Sequence, residues 1–359
     1  MRSSSILFAS VFFVSIAVTR PAVADTVLLS AVKGKVQARA PDASAYSDAA
    51  KGAKLANGTR LKTAPGALAT LEYADGSRAD VRESTEIIIR ASKNPKTRPN
   101  GAVLFFGRVW AKVTKAAGND RSFEVRSANA VAGVRGTEFE VGVGLNGAAV
   151  VRVGEGRVAV SGDDGEADVD GGYTVVSSDR GQLGKRRRSR ANFRWARWMT
   201  RHAKKMEKKG LAVARSLDGR LNRRKAKVEK LLAKQRKLRK RIEALGEAKK
   251  RGEPVGQQMA QALAEMKKIG RRIEDMRARL EGAFGLFAKW GEVAKKGQMN
   301  DAGQIAGMSK SIAAIAADFA DMIEEGTDLS EDGMHDMMDD MGKGKMMGPG
   351  DSAADELFK

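Results

Sequence analysis

The chain has 359 residues, no cysteine, two histidines and a formal net charge of +21, with 65 Lys and Arg against 44 Asp and Glu. That length exceeds one ordinary domain, and the missing cysteines exclude a disulfide framework, a thiol nucleophile and a lipid-bearing cysteine. The charge is concentrated: residues 185–251 hold 28 Lys and Arg against 5 Asp and Glu, so the whole basic excess lies in one segment.

At the N-terminus, Arg2 precedes the apolar run Ile6 to Val18, followed by Ala22-Val23-Ala24. The run is shorter than the roughly 20 residues needed to span a bilayer. This pattern predicts a secretory signal peptide over residues 1–24, cleaved before Asp25, and a periplasmic or otherwise exported mature chain. A short membrane anchor is the alternative. No later segment is apolar enough to cross a membrane.

Residues 25–184 read as an all-β domain. Short apolar runs recur at Thr26–Val36, Ala67–Tyr73, Ile87–Ile89, Val103–Val113, Phe123–Val134, Ala148–Val153, Val158–Val160 and Tyr173–Val176. Asn57-Gly58, Pro65-Gly66, Asp75-Gly76, Asn146-Gly147 and Gly171-Gly172 supply turn chemistry between them. A local pattern, a glycine and a cation between strand-like residues, occurs at Val32–Val36, Phe105–Val109 and Gly154–Val158. Its recurrence points to a β-roll or solenoid-like arrangement, with a sandwich as the alternative.

The most distinctive stretch is Ala130–Val141, which couples alternating apolar residues to two glycines and an opposed charge pair. It reads as strand, turn, strand, with Gly133 and Gly136 permitting the bend. Arg135 and Glu138 are expected to satisfy backbone carbonyls and each other across it. Gly133, Arg135, Gly136, Thr137, Glu138 and Phe139 are therefore read as mainly structural, with ligand contact as the alternative. Asp163-Asp164-Gly165-Glu166 is read as a solvated hairpin tip, because the repeat of a calcium loop is missing.

Together with Gly58, Thr63, Ala67, Asp75-Gly76-Ser77, Gly107-Arg108-Val109 and Phe123-Glu124-Val125, the stretch Ala130–Val141 resembles the FecR domain, a periplasmic sensor domain named for ferric-citrate signalling. The resemblance covers roughly residues 27–176. It implies a β-rich domain that binds a protein or senses a ligand and has no catalytic activity. Classical members also carry an anti-sigma segment and a transmembrane helix. Neither is read here, so direct regulation of a sigma factor is not expected.

Gly181-Gln182-Leu183-Gly184 reads as a linker, and residues 185–210 follow as a basic, Trp-containing junction helix. Arg186, Arg187, Arg188, Arg190, Arg194, Trp195, Arg197 and Trp198 form its candidate polyanion or membrane contact, since indoles suit the headgroup level and cations suit anionic lipid. Nucleic acid is a weaker reading of the same residues. The plainer alternative is that Phe193, Trp195 and Trp198 cover the bottom of the β domain while the cations stay solvated.

From Leu211 the period changes from two to three and a half. Leu217, Leu221, Arg224, Val228, Leu231, Gln235, Leu238, Ile242 and Leu245 form one heptad seam, and Met259 through Trp290 form a second of matching length. Gly252-Glu253-Pro254 breaks the helix between them. The expectation is an antiparallel coiled-coil hairpin over 211–296, with Arg224 and Gln235 specifying register. A third amphipathic helix over 297–326 either packs on the hairpin as a three-helix bundle or pairs with another chain.

Residues 327–359 form an acidic, Met-rich tail expected to be disordered, with Cu(I) binding by thioethers as the alternative. No cofactor or metal is expected. No nucleophile, base and phosphate loop come together, so no enzyme is expected. The preferred reading is an exported, non-enzymatic binding or scaffold protein. Its β domain recognises a protein or envelope ligand, and its coiled coil tethers or oligomerises it. The alternative is an envelope structural protein that holds anionic lipid or cell-wall polymer through its basic segment.

Overall fold

A computed structural model of the chain describes residues 25–92, 99–115 and 122–327, with side chains described as far as Phe319. The expected signal peptide and all but the first residue of the expected tail lie outside the described residues. An all-β half is followed by three helices. The strands are β1 (Thr26–Lys33), β2 (Val36–Arg39), β3 (Ser47–Asp48), β4 (Lys54–Ala56), β5 (Arg60–Thr63), β6 (Leu68–Glu72), β7 (Arg78–Val81), β8 (Thr85–Arg90), β9 (Asn100–Lys112), β10 (Phe123–Arg126), β11 (Val131–Val134), β12 (Glu138–Val143), β13 (Ala149–Glu155), β14 (Arg157–Ser161), β15 (Glu166–Asp170), β16 (Tyr173–Ser177) and β17 (Arg187–Arg188).

They pair into two layers that share one strand. The first layer runs β4-β1-β6-β7-β9-β12-β13-β16-β17. The second runs β3-β2-β5-β8-β9-β10-β11-β14-β15. The 13-residue β9 belongs to both. Its first part pairs with β8 and β10, and Gly107 to Lys112 pair with β12.

The switch within β9 falls at Gly107, where φ is +101. A Cβ there would lie 2.3 Å from the Thr85 hydroxyl oxygen, so only glycine fits both the backbone angle and the space. The other two copies of the glycine-and-cation pattern do the same job. Gly34 separates β1 in the first layer from β2 in the second, and Gly156 separates β13 from β14, both with positive φ. The repeat seen in the sequence thus marks the points where the chain changes layer.

Between the layers, Leu29, Leu61, Leu71, Ile87, Ile89 and Leu104 are wholly buried. Tyr73, Phe123 and Phe139 form an edge-to-face chain at centroid distances of 5.1 and 6.4 Å. Tyr73 closes the core by donating its hydroxyl to the Gly101 carbonyl at 2.7 Å.

The helices are α1 (Trp195–Lys250), α2 (Gly256–Lys295) and α3 (Ala302–Thr327). The expected junction helix is not a separate element. Residues 187–188 pair with β16 as a strand, and the helix that begins at Trp195 continues into the hairpin. Lys209, with φ −130 and ψ 25, interrupts it one residue before the boundary expected at 210. The expected linker is also part of the β half: Leu183 bridges to Ser177, and the Gly184 amide donates to the Val176 carbonyl.

Leu217, Leu221, Val228, Leu238 and Ile242 of α1 and Met266, Ile269, Ile273, Leu280 and Phe287 of α2 share one buried cluster. α3 returns along α2, where the Ser309 hydroxyl donates to the Phe287 carbonyl at 2.7 Å and Phe319 meets Phe284 edge to face. Ile305, Ile312 and Phe319 of its apolar stripe are therefore buried within the same chain.

Candidate functional site

The stretch Ala130–Val141 is built differently from a hairpin. Its two strands do not pair with each other: β11 lies between β10 and β14, and β12 between β9 and β13. The bend at 135–137 carries the chain from one layer to the other. Gly136 takes φ +62, whereas Gly133 sits inside β11 opposite Glu124 and Ala159. The bend is held by Thr137, whose buried hydroxyl lies 3.3 Å from the Arg135 carbonyl and 3.1 Å from that of Arg157. Phe139 enters the core, and Glu138 and Arg135 lie toward the surface.

Beyond the bend, the outward residues of the first layer line up across the strands. Cross-strand register places Thr70, Asp80, Trp110, Glu140, Arg152, Thr174 and Arg187 in one row over seven strands. Two carboxylate clusters flank Trp110. Asp80 accepts from the Thr70 hydroxyl at 2.9 Å and from Arg78 Nε at 3.1 Å, with Arg82 at 3.6 Å. Glu140 lies 3.3 Å from Arg108 and 3.5 Å from Arg152. Burial raises the Glu140 carboxyl above its ordinary range, against the pull of Arg108 and Arg152.

Trp110 itself is half-buried, and no ring or cation stacks on it among the described residues. Sequence reasoning placed it inside an apolar run and gave it no role. The alternation of buried Val109 and Ala111 around it was the available signal for an outward side chain.

Of the candidate polyanion residues, Trp195 packs against this same face. A Cβ at Gly142 would stand 2.3 Å from its ring, and Arg108 lies over that ring at 5.0 Å. Arg152 covers Phe193 at 4.9 Å. Trp198 lies against His202, with ring centroids 4.2 Å apart and the planes tilted by 47°. Burial lowers the His202 imidazole to about 4, helped by Lys205. Arg186 donates to the Asp168 carbonyl at 2.8 Å, and Arg152 donates to the Arg190 carbonyl at 2.9 Å. Arg187, Arg188, Arg190, Arg194 and Arg197 are exposed. The aromatic residues of the junction thus cover one end of the face and leave the cations outside.

The helices buttress the second layer. Gly282 and Gly285 of α2 allow the contact: a Cβ would reach 2.5 Å from the Ala128 amide at the first and 2.2 Å from the Phe105 ring at the second. Trp290 donates its indole N–H to the Leu145 carbonyl at 2.7 Å. The hairpin tip expected to be solvated is instead clasped. Asp163 meets Arg224 at 2.6 Å, Arg279 at 3.2 Å and Arg220 at 3.4 Å.

The same guanidinium groups reach other acceptors of the β half. Arg220 donates to Asn129 Oδ1 at 2.6 Å and to the Asp179 carbonyl at 2.7 Å, and Arg224 donates to the Ala128 carbonyl at 2.8 Å. Burial, and then the neighbouring Arg224, push the Arg220 and Arg279 guanidinium groups below their ordinary range. Arg224 therefore docks the helix on the β half, where the sequence suggested a register residue between helices.

Residues 59–159 match the sequence model described as FecR protein, which is less than a third of the chain. Two solved crystal structures of a candidate anti-sigma factor from Parabacteroides distasonis ATCC 8503 are similar at 16% identity and a TM-score of 0.33, each over 37% of this chain. The chain spans 60% of the length of those structures. No curated protein matches the chain.

Proposed function

We propose, from the FecR match at residues 59–159, that this chain is a non-enzymatic binding protein of the cell envelope. Its β half recognises a protein partner on the first-layer face around Trp110. The observation that carries this reading is the placement of Trp110, an outward indole with no stacked partner among the described residues, between two buttressed carboxylate and arginine clusters. A large amphipathic ring on a rigid frame loses little conformational entropy on binding, and such rings dominate interface energetics. Gly136, Thr137 and Phe139 act as the frame, and Arg135 and Glu138 border it. Export after cleavage at Ala24 places the face outside the cytoplasm, and the helical hairpin serves as an arm and tether.

Crosslinking the chain in its own cells and identifying what is attached tests the reading. Trp110→Ala is expected to weaken the attached partner's binding about 30-fold, the loss of a hot-spot tryptophan. An adduct that survives this substitution unchanged would sink it. The substitution removes an outward side chain, so an unchanged thermal melt serves as the control for folding.

A further inference from the structure

The hairpin carries a second surface, away from Trp110. The polar contacts that dock it on the β half include those of Arg220 and Arg224 on α1 and of Glu274, Asp275, Arg279, Glu281, Trp290 and Glu292 on α2. Past Arg224, α1 continues to Lys250, an arm about 40 Å long at 1.5 Å per residue.

Along this arm, Arg223, Lys227, Lys230, Lys234, Lys237 and Arg241 follow one another at steps of 4, 3, 4, 3 and 4. That spacing sets them in one lengthwise row on the helix. All six are exposed, and the row is about 27 Å long. Lys234 pairs with Glu265 at 2.6 Å. The other five form no ion pair among the described residues. Self-repulsion along such a row costs stability unless an anionic partner offsets it.

The chemistry of the arm narrows the partner. Residues 225–275 hold 16 Lys and Arg against 7 Asp and Glu, and no Phe, Tyr or Trp. Without aromatic rings there is nothing to stack on bases and nothing to anchor at the interface of a bilayer. Two paired helices, each about 10 Å across, are together wider than the roughly 12 Å major groove of duplex DNA. A straight row of cations on a stiff rod matches a flat anionic surface, where all its members meet phosphates at once. No helix of the described residues is long and apolar enough to cross a membrane.

We propose that this row adsorbs the arm to a bilayer surface rich in anionic phospholipid. The arm lies along the headgroups without inserting, and the β half is held beside the membrane with its Trp110 face free. The contact is electrostatic, so it is reversible and falls steeply with salt. It stands independently of the partner read on the β half.

Sedimentation of the full chain with vesicles tests it. Binding is expected to vesicles of phosphatidylcholine with phosphatidylglycerol and not to phosphatidylcholine alone, and to be lost at high salt. The triple variant Lys230→Gln, Lys234→Gln, Lys237→Gln is expected to bind on the order of 100-fold more weakly, about fivefold per cation. Because the row is exposed, this variant should keep the parent melt. Arg187→Gln with Arg188→Gln in the junction, and Trp110→Ala on the β face, should leave vesicle binding unchanged. Equal binding to neutral vesicles, full binding by the triple variant, or displacement by duplex DNA at matched phosphate concentration would each overturn the proposal.

Discussion

The two ends of the helical hairpin use the same residue types for opposite purposes. At its base, Arg220, Arg224 and Arg279 are nearly sealed from solvent and converge on Asp163, with side-chain exposures of 9, 9 and 13%. Along its arm, Lys227, Lys230, Lys237 and Arg241 lie open on the helix surface. Charge counting along the chain merges Arg220 and Arg224 with the cations of the arm into one basic segment. What separates them is whether the β half has a carboxylate and free carbonyls at the same height. The base is therefore a docking joint and the arm is a charged surface, and substitutions at the two ends should differ sharply.

The largest effect is expected at the joint. Asp163→Ala leaves three guanidinium groups crowded together without their anion and should cost about 3 kcal/mol, read as a lower denaturant midpoint and earlier proteolysis between the β half and the helices. An unchanged midpoint would mean that the neighbouring carbonyls alone hold the joint.

Gly285→Ala probes the same joint by shape. The new methyl meets the Phe105 ring well inside contact distance, so about 2 kcal/mol should be lost through overpacking. Gly270→Ala, on the arm where nothing lies within 4 Å of the added methyl group, is its control and should not destabilise the fold.

A smaller effect comes from His202. Its imidazole is held at about 4 in the folded chain, below the ordinary value near 6.5. Between these values the unfolded chain binds the extra proton, so stability should fall as pH drops from 6.5 to 4. After discounting for the ring's partial exposure, the loss is about 1 kcal/mol. His202→Phe should flatten the dependence in that window, as measured by melts across pH. On the arm, Lys237→Gln should change stability by no more than about 0.5 kcal/mol, which would complete the contrast.

Much of this architecture was legible in the sequence. Alternation placed most strands, and the heptad period from Leu217 onward marked the helical half, although α1 begins earlier, at Trp195. Gly252-Glu253-Pro254 marked the turn between α1 and α2. The repeated glycine-and-cation pattern was visible, but its meaning was not. Residues 32–36, 105–109 and 154–158 all change layer, and that is defined only by which strands pair on either side. Arg224 was legible as a polar residue in an apolar seam. Its partner, the Ala128 carbonyl, lies 96 positions away in the chain.

Local chemistry by itself determined the elements of this protein: side-chain period, turn residues and charge density act over a few neighbouring positions, and the sequence states them directly. The candidate sites were decided by tertiary structure. Trp110 acquires its flanking carboxylates from β7 and β12, and Asp163 acquires its arginines from two helices. Whether an arginine becomes a buried clasp or an open cation depends on what the fold brings within a few ångströms of it. Only long-range pairing settles that, because Coulomb attraction and desolvation act on separation in space and are blind to separation along the chain.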